Sequence, residues 1–299
     1  MKKNLLRGII PALPTPVHKD ERIDEEGVQK LIKYVLDHGS TGIFILGTMG
    51  EVAPLRDPEK IRMIRCARSA TPDNIPFLVG VADTGTQRVI EQAKRALDLG
   101  AEYIVALPAY FYPVFVPETI QRFYETIVEA TNADIVIYNN PIYAKTEIAF
   151  ETYAKLSRDL RVVGVKNCGS DPALHRKLVQ CLQGENFAVF DGFEPDFLRS
   201  ASLKGSGLVS GCGSLAPHIL CQIYQGGQEN NRALMEKGQH GIDQLLSFCG
   251  ASWRQAVKYG LSLLGICQEH TLEPFIPVSE ETRKKVREVL AELQILKEK

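Results

Sequence analysis

The sequence predicts an α/β chain, a (β/α)8 or TIM barrel with a C-terminal helical extension. Three observations carry this. Short apolar runs alternate with longer amphipathic stretches eight times, at a spacing of roughly 25 residues. The turn after the first run, Pro14-Thr15-Pro16, is proline-rich and lacks the Gly-x-Gly-x-x-Gly turn of an open doubly wound sheet. Beyond about residue 225, helix-period stretches follow one another with no strand between them. The expected organisation is a barrel over residues 1–224 and an extension over 225–299.

The first strand is expected at Gly8–Leu13, stopped by Pro14 and Pro16. A helix follows over Asp24–His38, with Asp24 as N-cap and Gly39 as stop signal. Gly42–Leu46 is the second strand and ends in Gly47-Thr48-Met49-Gly50-Glu51; Pro58 then opens a helix to Ala70. Phe77–Val81 is the third strand, with Asp83 or Thr84 capping a helix that ends at Leu99-Gly100. Tyr103–Leu107 is the fourth, followed by the aromatic loop Pro108–Pro113 and a helix from Pro117 to Ala130. Ile135–Tyr138 is the fifth and runs into Tyr138-Asn139-Asn140-Pro141, before a helix over Phe150–Ser157. Val162–Val165 is the sixth, with Lys166 just past its end and Asp171-Pro172 opening the next helix. Phe187–Phe190 and Gly207–Val209 complete the set, and a helix begins near Ala216. The extension comprises helices over Asn231–Phe248, Trp253–Leu264 and Glu280–Lys297.

With 299 residues, 44% of them hydrophobic, the chain has material for a large core. A formal net charge of −1 offers no basic excess, so neither nucleic acid nor an anionic membrane is an expected partner. No apolar run reaches the roughly 20 residues of a membrane span. The basic start Met1–Arg7 is followed by too short an apolar stretch for a signal peptide. Seven scattered cysteines without Cys-x-x-Cys spacing fit reduced thiols and a cytoplasmic location. The six histidines form no ligand pair, so neither a metal nor another cofactor is expected.

Active sites of parallel barrels lie at the C-terminal ends of the strands. That rule gathers Thr48, Glu51, Tyr110, Tyr112, Tyr138, Asn140, Lys166, Asn167, Glu194, Ser210 and Ser214. A lysine at a strand end sits in low dielectric, which disfavours its ammonium form. A neutral amine there can attack a ketone and form a Schiff base. A tyrosine beside it can donate and recover the proton at the substrate oxygen. The bland alternative is a surface lysine that snorkels into water. The turn Gly47–Gly50 offers backbone N–H groups for a carboxylate, and the glycine-rich run Gly205–Gly213 is a weaker candidate phosphate cradle.

Gly47-Thr48-Met49-Gly50-Glu51, Tyr138-Asn139-Asn140-Pro141 and Gly164-Val165-Lys166 together resemble the dihydrodipicolinate synthase / N-acetylneuraminate lyase family, and the likeness spans nearly the whole chain. The resemblance implies a class I aldolase or related lyase acting on pyruvate and an aldehyde, assembled as a homotetramer, a dimer of dimers. It implies Lys166 as the imine-forming lysine and Tyr138 as the proton-transferring tyrosine. Thr48 would link Tyr138 to Tyr110, which the family contributes from a neighbouring subunit, and Val209 would line the site with its backbone carbonyl. The neighbours Phe111 and Tyr112 are expected to pack on the barrel mouth.

Departures from the family pattern narrow the function. Met49 stands where the synthases carry a second threonine hydroxyl. Tyr143 stands where they carry an arginine that grips the aldehyde partner's carboxylate, a contact of roughly 1.5–3 kcal/mol. The sialic acid lyases show Gly-Tyr-Asp-Glu after strand seven; here Gly192-Phe193-Glu194 keeps one acidic group, a candidate acceptor for substrate hydroxyls. Asn140 and Gly192 complete the candidate substrate-binding set with Met49, Tyr143, Val209 and Glu194. The expected reaction is aldol cleavage or condensation of a 2-keto-3-deoxy sugar acid or similar 2-oxo acid. Three alternatives are 4-hydroxy-tetrahydrodipicolinate synthase, a sugar-acid dehydratase using the same imine, and a non-catalytic 2-oxo acid binder.

Overall fold

The computed structural model describes residues 6–169, 171–250 and 252–296. The basic start Met1–Leu5, Ser170, and Lys297, the expected end of the last helix, lie outside the described residues. Eight strands form one parallel sheet: β1 (Gly8–Pro11), β2 (Ile43–Ile45), β3 (Phe77–Gly80), β4 (Tyr103–Ala106), β5 (Ile135–Asn139), β6 (Val162–Asn167), β7 (Ala188–Asp191) and β8 (Gly207–Ser210). Their order is β1-β8-β7-β6-β5-β4-β3-β2. A parallel bridge between Ala12 and Phe44 joins the two ends, with Leu13 N–H donating to the Phe44 carbonyl at 2.8 Å. Nearly every strand residue is buried, because the barrel is filled from within and covered by helices from without. At the β1–β8 seam Gly207 has φ of 142°, and a Cβ there would lie 1.8 Å from the Gly8 carbonyl oxygen. Only glycine allows the two strands to meet so closely.

The helices between strands are α1 (Glu25–Asp37), α2 (Asp57–Ala70), α3 (Thr86–Asp98), α4 (Pro117–Thr131), a one-turn α5 (Pro141–Ala144), α6 (Phe150–Leu156), α7 (Pro172–Leu182), α8 (Phe197–Ser202) and α9 (Pro217–Glu229). Asp24 caps α1, accepting from Gly27 N–H at 2.9 Å, and Asp171 caps α7, accepting from Ala173 N–H at 2.8 Å. Asp83 does not cap α3 and neither does Thr84. The cap residue is Gly85, which has no side chain to offer. Asp83 instead accepts from Arg88 Nε at 2.6 Å and from Thr84 N–H at 2.7 Å, a charge-assisted contact that outcompetes a neutral cap.

Three further positions differ from expectation. Lys166 lies inside β6, not past it, since backbone pairing continues to Asn167. Phe111 and Tyr112 do not pack on the barrel mouth. They are 71% and 75% exposed, in a loop that also exposes Phe115, with their rings edge-on to each other at 4.9 Å. Residues 224 and 225, where the sequence places the start of the extension, lie within α9. The extension is continuous with the barrel's last helix. Gly238 of α10 (Arg232–Leu246) sits directly on Ile219 and Ile223 of α9. The chain then forms α11 (Trp253–Leu263) and α12 (Glu280–Glu292). No helix among the described residues is long and apolar enough to cross a membrane.

A fully buried ion pair ties the extension to the barrel. Lys258 Nζ of α11 lies 2.7 Å from Glu51 Oε1, at the end of the turn that follows β2. Lys258 also donates to the His270 carbonyl at 2.7 Å, and Glu51 Oε2 accepts from Leu272 N–H at 2.7 Å. Burial pushes the Lys258 ammonium below the ordinary lysine value, against the opposing pull of Glu51. Removing one partner strands the other charge in the interior, which costs about 3–5 kcal/mol. Lys258→Met is therefore expected to lower the unfolding free energy by about that amount in urea denaturation, with Glu51→Gln in the same background recovering part of the loss. An unchanged midpoint would show that the pair does not hold the extension.

Candidate active site

Tyr138 and Lys166 are register partners on β5 and β6. Side chains alternate along a strand, so both face the barrel interior while Asn139 and Asn167 face out. Lys166 is only 5% exposed. Its Nζ lies 4.3 Å from the centroid of the Tyr138 ring and 5.4 Å from that of Phe44. The Tyr138 hydroxyl is 3.1 Å from Thr48 Oγ1 and accepts from Asn140 Nδ2 at 3.2 Å. Thr48 belongs to a turn bracketed by two non-glycine residues in the left-handed region, Leu46 (φ 55°) and Glu51 (φ 54°). Such backbone persists only where its surroundings hold it. Here Thr15 Oγ1 donates to the Gly50 carbonyl at 2.6 Å, and the Lys258 pair holds Glu51.

The opposite wall comes from β7 and β8. A Cβ at Gly192 would lie 2.2 Å from Cys168 Sγ and 3.1 Å from Lys166 Cε, so this position has no room for a side chain. Glu194 turns inward: its Oε1 accepts from Ser210 Oγ at 2.8 Å and from Gly211 N–H at 3.2 Å. Those two donors of the glycine-rich run are therefore committed to a carboxylate. An added phosphate there would face a like charge, which removes that run as a phosphate cradle.

The result is a cleft of about 400 Å³ lined by Thr48, Met49, Tyr138, Asn140, Tyr143, Lys166, Gly192, Glu194 and Val209. Nine of the ten candidate residues thus meet in one place. Tyr110 does not: within its own chain it is half-buried and lies near Asp83 and Arg88, with burial and Asp83 raising its phenol. Cys168, Cys212, Phe193 and Trp253 also line the cleft and were not singled out by the sequence. Cys168 had a usable signal, two positions beyond Lys166. Trp253 is the chain's single tryptophan, but it lies in the extension, which the strand-end rule does not reach.

The electrostatics correct one expectation. Burial disfavours the Lys166 ammonium, but the acidic groups facing it, Tyr138, Cys168 and Glu194, carry its pKa above the ordinary lysine value. Burial in turn raises the Tyr138 phenol and pushes the Cys168 thiol up to about 11. The resting lysine is an ammonium, not a free amine.

Behind the barrel wall runs a second, outward network. Asn139 Nδ2 donates to Asn167 Oδ1 at 2.7 Å, and Asn167 Nδ2 approaches His175 Nδ1 at 3.5 Å. His175 Nε2 lies 2.8 Å from Ser200 Oγ, which in turn bonds Asp191. Burial holds His175 neutral, lowering it to about 4, and raises Asp191 to about 6.

Eight parallel strands closed into a barrel, with a buried lysine beside a tyrosine at their C-terminal ends, make this a lyase of the class I aldolase type. The chain belongs to the dihydrodipicolinate synthetase family, whose model matches residues 5–293. It is 31% identical to an uncharacterized DapA-like lyase from Thermococcus onnurineus, over 95% of this chain and 100% of that protein. It is 25% identical to a protein named "probable 2-dehydro-3-deoxy-D-pentonate aldolase" from Escherichia coli, over 99% of each. The crystal structure of dihydrodipicolinate synthase from Thermotoga maritima superposes with a TM-score of 0.92 at 25% identity, over 98% of this chain and 100% of that one.

The outward network predicts a pH dependence of stability. Between pH 6.5 and about 4 the unfolded His175 takes up a proton that the native residue refuses, so its contribution to stability falls as pH falls. Asp191 works oppositely: its raised pKa means the native state holds a proton the unfolded state lacks, so its contribution grows as pH falls through about 6. His175→Gln removes only the first. Relative to the variant, the wild type is expected to lose about 3 kcal/mol between pH 6.5 and 4 in chemical denaturation. Parallel stability curves would contradict a neutral buried His175.

Proposed function

We propose that the chain forms an imine between Lys166 and a 2-oxo acid such as pyruvate. Through it the enzyme cleaves or makes a carbon–carbon bond of a hydroxylated 2-oxo acid of the 2-keto-3-deoxy sugar acid kind, releasing or taking up an aldehyde. The observation that carries this reading is the Lys166–Tyr138–Thr48 arrangement, a buried amine with a hydrogen-bonded phenol against it. Once deprotonated, Lys166 Nζ attacks the C2 carbonyl. The carbinolamine loses water as Tyr138 supplies a proton to the departing hydroxyl. In the cleavage direction the Tyr138 phenolate takes the C4 hydroxyl proton, the C3–C4 bond breaks to give the aldehyde, and its electron pair enters the iminium as an enamine; protonation at C3 and hydrolysis of the imine by water then release pyruvate and the Lys166 amine.

Hydroxyl-bearing substrates are supported by Glu194 and Ser210 on one wall and by Asn140 Oδ1 on the other, a buried acceptor with no partner among the described residues. Val209 and Met49 shape the cleft around the pyruvate end, with Gly192 letting the backbone pack closely against Cys168 and the lysine stem. In this reading Tyr110 reaches the Tyr138–Thr48 pair of a neighbouring copy in a homotetramer; the exposed loop of Phe111, Tyr112 and Phe115 supports such an assembly. The scattered cysteines support a cytoplasmic setting.

Borohydride reduction with pyruvate present is expected to leave a stable adduct on Lys166, found by mass spectrometry; no adduct on any residue would sink the reading. Because the resting lysine is an ammonium, the free-amine fraction should rise about tenfold per pH unit between pH 7 and 9, and the trapping rate with it. Lys166→Ala should abolish turnover, and Tyr138→Phe should lower kcat by about 10²–10⁴ with the fold intact by circular dichroism. Turnover of pyruvate with aspartate semialdehyde, but with no hydroxyaldehyde, would replace this reading by the synthase.

A further inference from the structure

Arg254, the second residue of α11, stands beside two residues of the cleft wall, and no acid pairs with it among the described residues. Its Nη1 donates to the Tyr143 hydroxyl at 3.2 Å. Its guanidinium carbon lies 5.5 Å from the Trp253 ring centroid and 5.0 Å from that of Phe275. Tyr143 and Trp253 both line the cleft. Nε is buried without a hydrogen-bond partner, and no carboxylate pairs with Arg254 among the described residues. The first turn of α11 has no acidic residue either, and Ser252 makes no side-chain cap. Most of the molecule's other arginines with polar contacts face a carboxylate, as Arg88 does Asp83 and Arg161 does Asp134.

A half-buried guanidinium held between two aromatic rings has lost part of its hydration and is left with an unmet donor. Tyr143 cannot neutralise it, because a phenol brings no charge. An oxyanion beside Tyr143 would supply both the missing charge and the missing acceptor. In the imine reading Lys166 serves the 2-oxo end, and Glu194 and Asn140 serve hydroxyls, which leaves Arg254 without a task.

We propose that Arg254 is a specificity-determining residue for the aldehyde half, and that this half ends in an anion, a carboxylate or a phosphate, that Arg254 and Tyr143 hold at the cleft mouth. The substrate is then a hydroxylated 2-oxo acid charged at both ends, not a neutral-tailed sugar acid. The proposal rests on the imine reading above.

The test is steady-state condensation of pyruvate with glyoxylate and succinic semialdehyde as carboxylates, glyceraldehyde 3-phosphate as a phosphate, and glycolaldehyde and glyceraldehyde as neutral controls. The wild type should prefer one anionic class over the neutral controls, and the class preferred tells carboxylate from phosphate. Arg254→Gln should lose roughly tenfold or more in kcat/KM on that class, through KM, with a much smaller loss on neutral aldehydes. Arg254→Lys should restore part of it, and Tyr143→Phe should show the same KM-weighted loss to a lesser degree. Borohydride trapping of pyruvate on Lys166 in each variant reports whether the site is intact. If Arg254→Gln fails to trap pyruvate, Arg254→Lys and Tyr143→Phe carry the same comparison. No preference for either anion, or equal losses on charged and neutral aldehydes, overturns the proposal. A wild type that forms no adduct at all fails the imine reading instead, so the two failures are distinguishable.

Discussion

The buried pair between Glu51 and Lys258 is the constraint on which the site depends. Two opposite charges lie wholly out of water, and neither can be given up alone without leaving the other unmet. Glu51 closes the strained turn that carries Thr48, and Thr48 is bonded to the Tyr138 hydroxyl. The same carboxylate fixes the chain at Leu272, 221 positions away. A helix of the extension thus sets the geometry of a turn at the barrel mouth. Arg254 and Lys258 are one helical turn apart on α11, hence on one face. Anchoring Lys258 to Glu51 sets Trp253 in the cleft wall and Arg254 against Tyr143, so the extension is a wall of the site and not an appendage.

The barrel wall divides chemistry from support by the simplest rule of strand geometry. On β5, β6 and β7 the residues that face in are Tyr138, Lys166 and Phe190; their neighbours Asn139, Asn167 and Asp191 face out. The inward set is mostly apolar, which strengthens every electrostatic contact with the lysine. The outward set is laced together through His175 and Ser200. That network sets a neutral imidazole near a carboxyl group raised to about 6, and it fastens three strand ends behind the lysine.

Much of this was legible in the sequence, and the exceptions have physical causes. Short apolar runs and proline or glycine punctuation locate all eight strands, because burial on both faces leaves a continuous apolar trace. The same trace ends at Val165, yet β6 continues to Asn167. Hydropathy reports burial, whereas pairing with Asn139 and Asp191 is imposed by neighbouring strands. The strand-end rule collected Lys166, Tyr138, Thr48 and Glu194 without any structure. It could not find Trp253 or Arg254, which come from a helix beyond the barrel, nor the partner of Glu51, since charge pairing across such a separation leaves no local pattern. Phe111 and Tyr112 were misplaced because aromatic composition alone does not distinguish a buried ring from one on an exposed loop.

The cleft has a direction, which a list of its residues does not convey. Lys166 Nζ is at one end, against the Tyr138 ring and with Gly192 packed closely beside it. Glu194, which accepts from Ser210 and Gly211, and Asn140, whose Oδ1 has no partner among the described residues, offer oxygen acceptors on the cleft walls. Arg254 and Tyr143 stand beyond them, hydrogen-bonded to each other, where the proposed anion would sit. Trp253 and Met49 both lie against Gly211, giving an apolar strip along one wall. A substrate that matches this order is charged at its ends and hydroxylated between them. Met49 and Tyr143 then read as parts of a different solution to holding a substrate, in which charge is supplied from the extension and not from the strand-five loop.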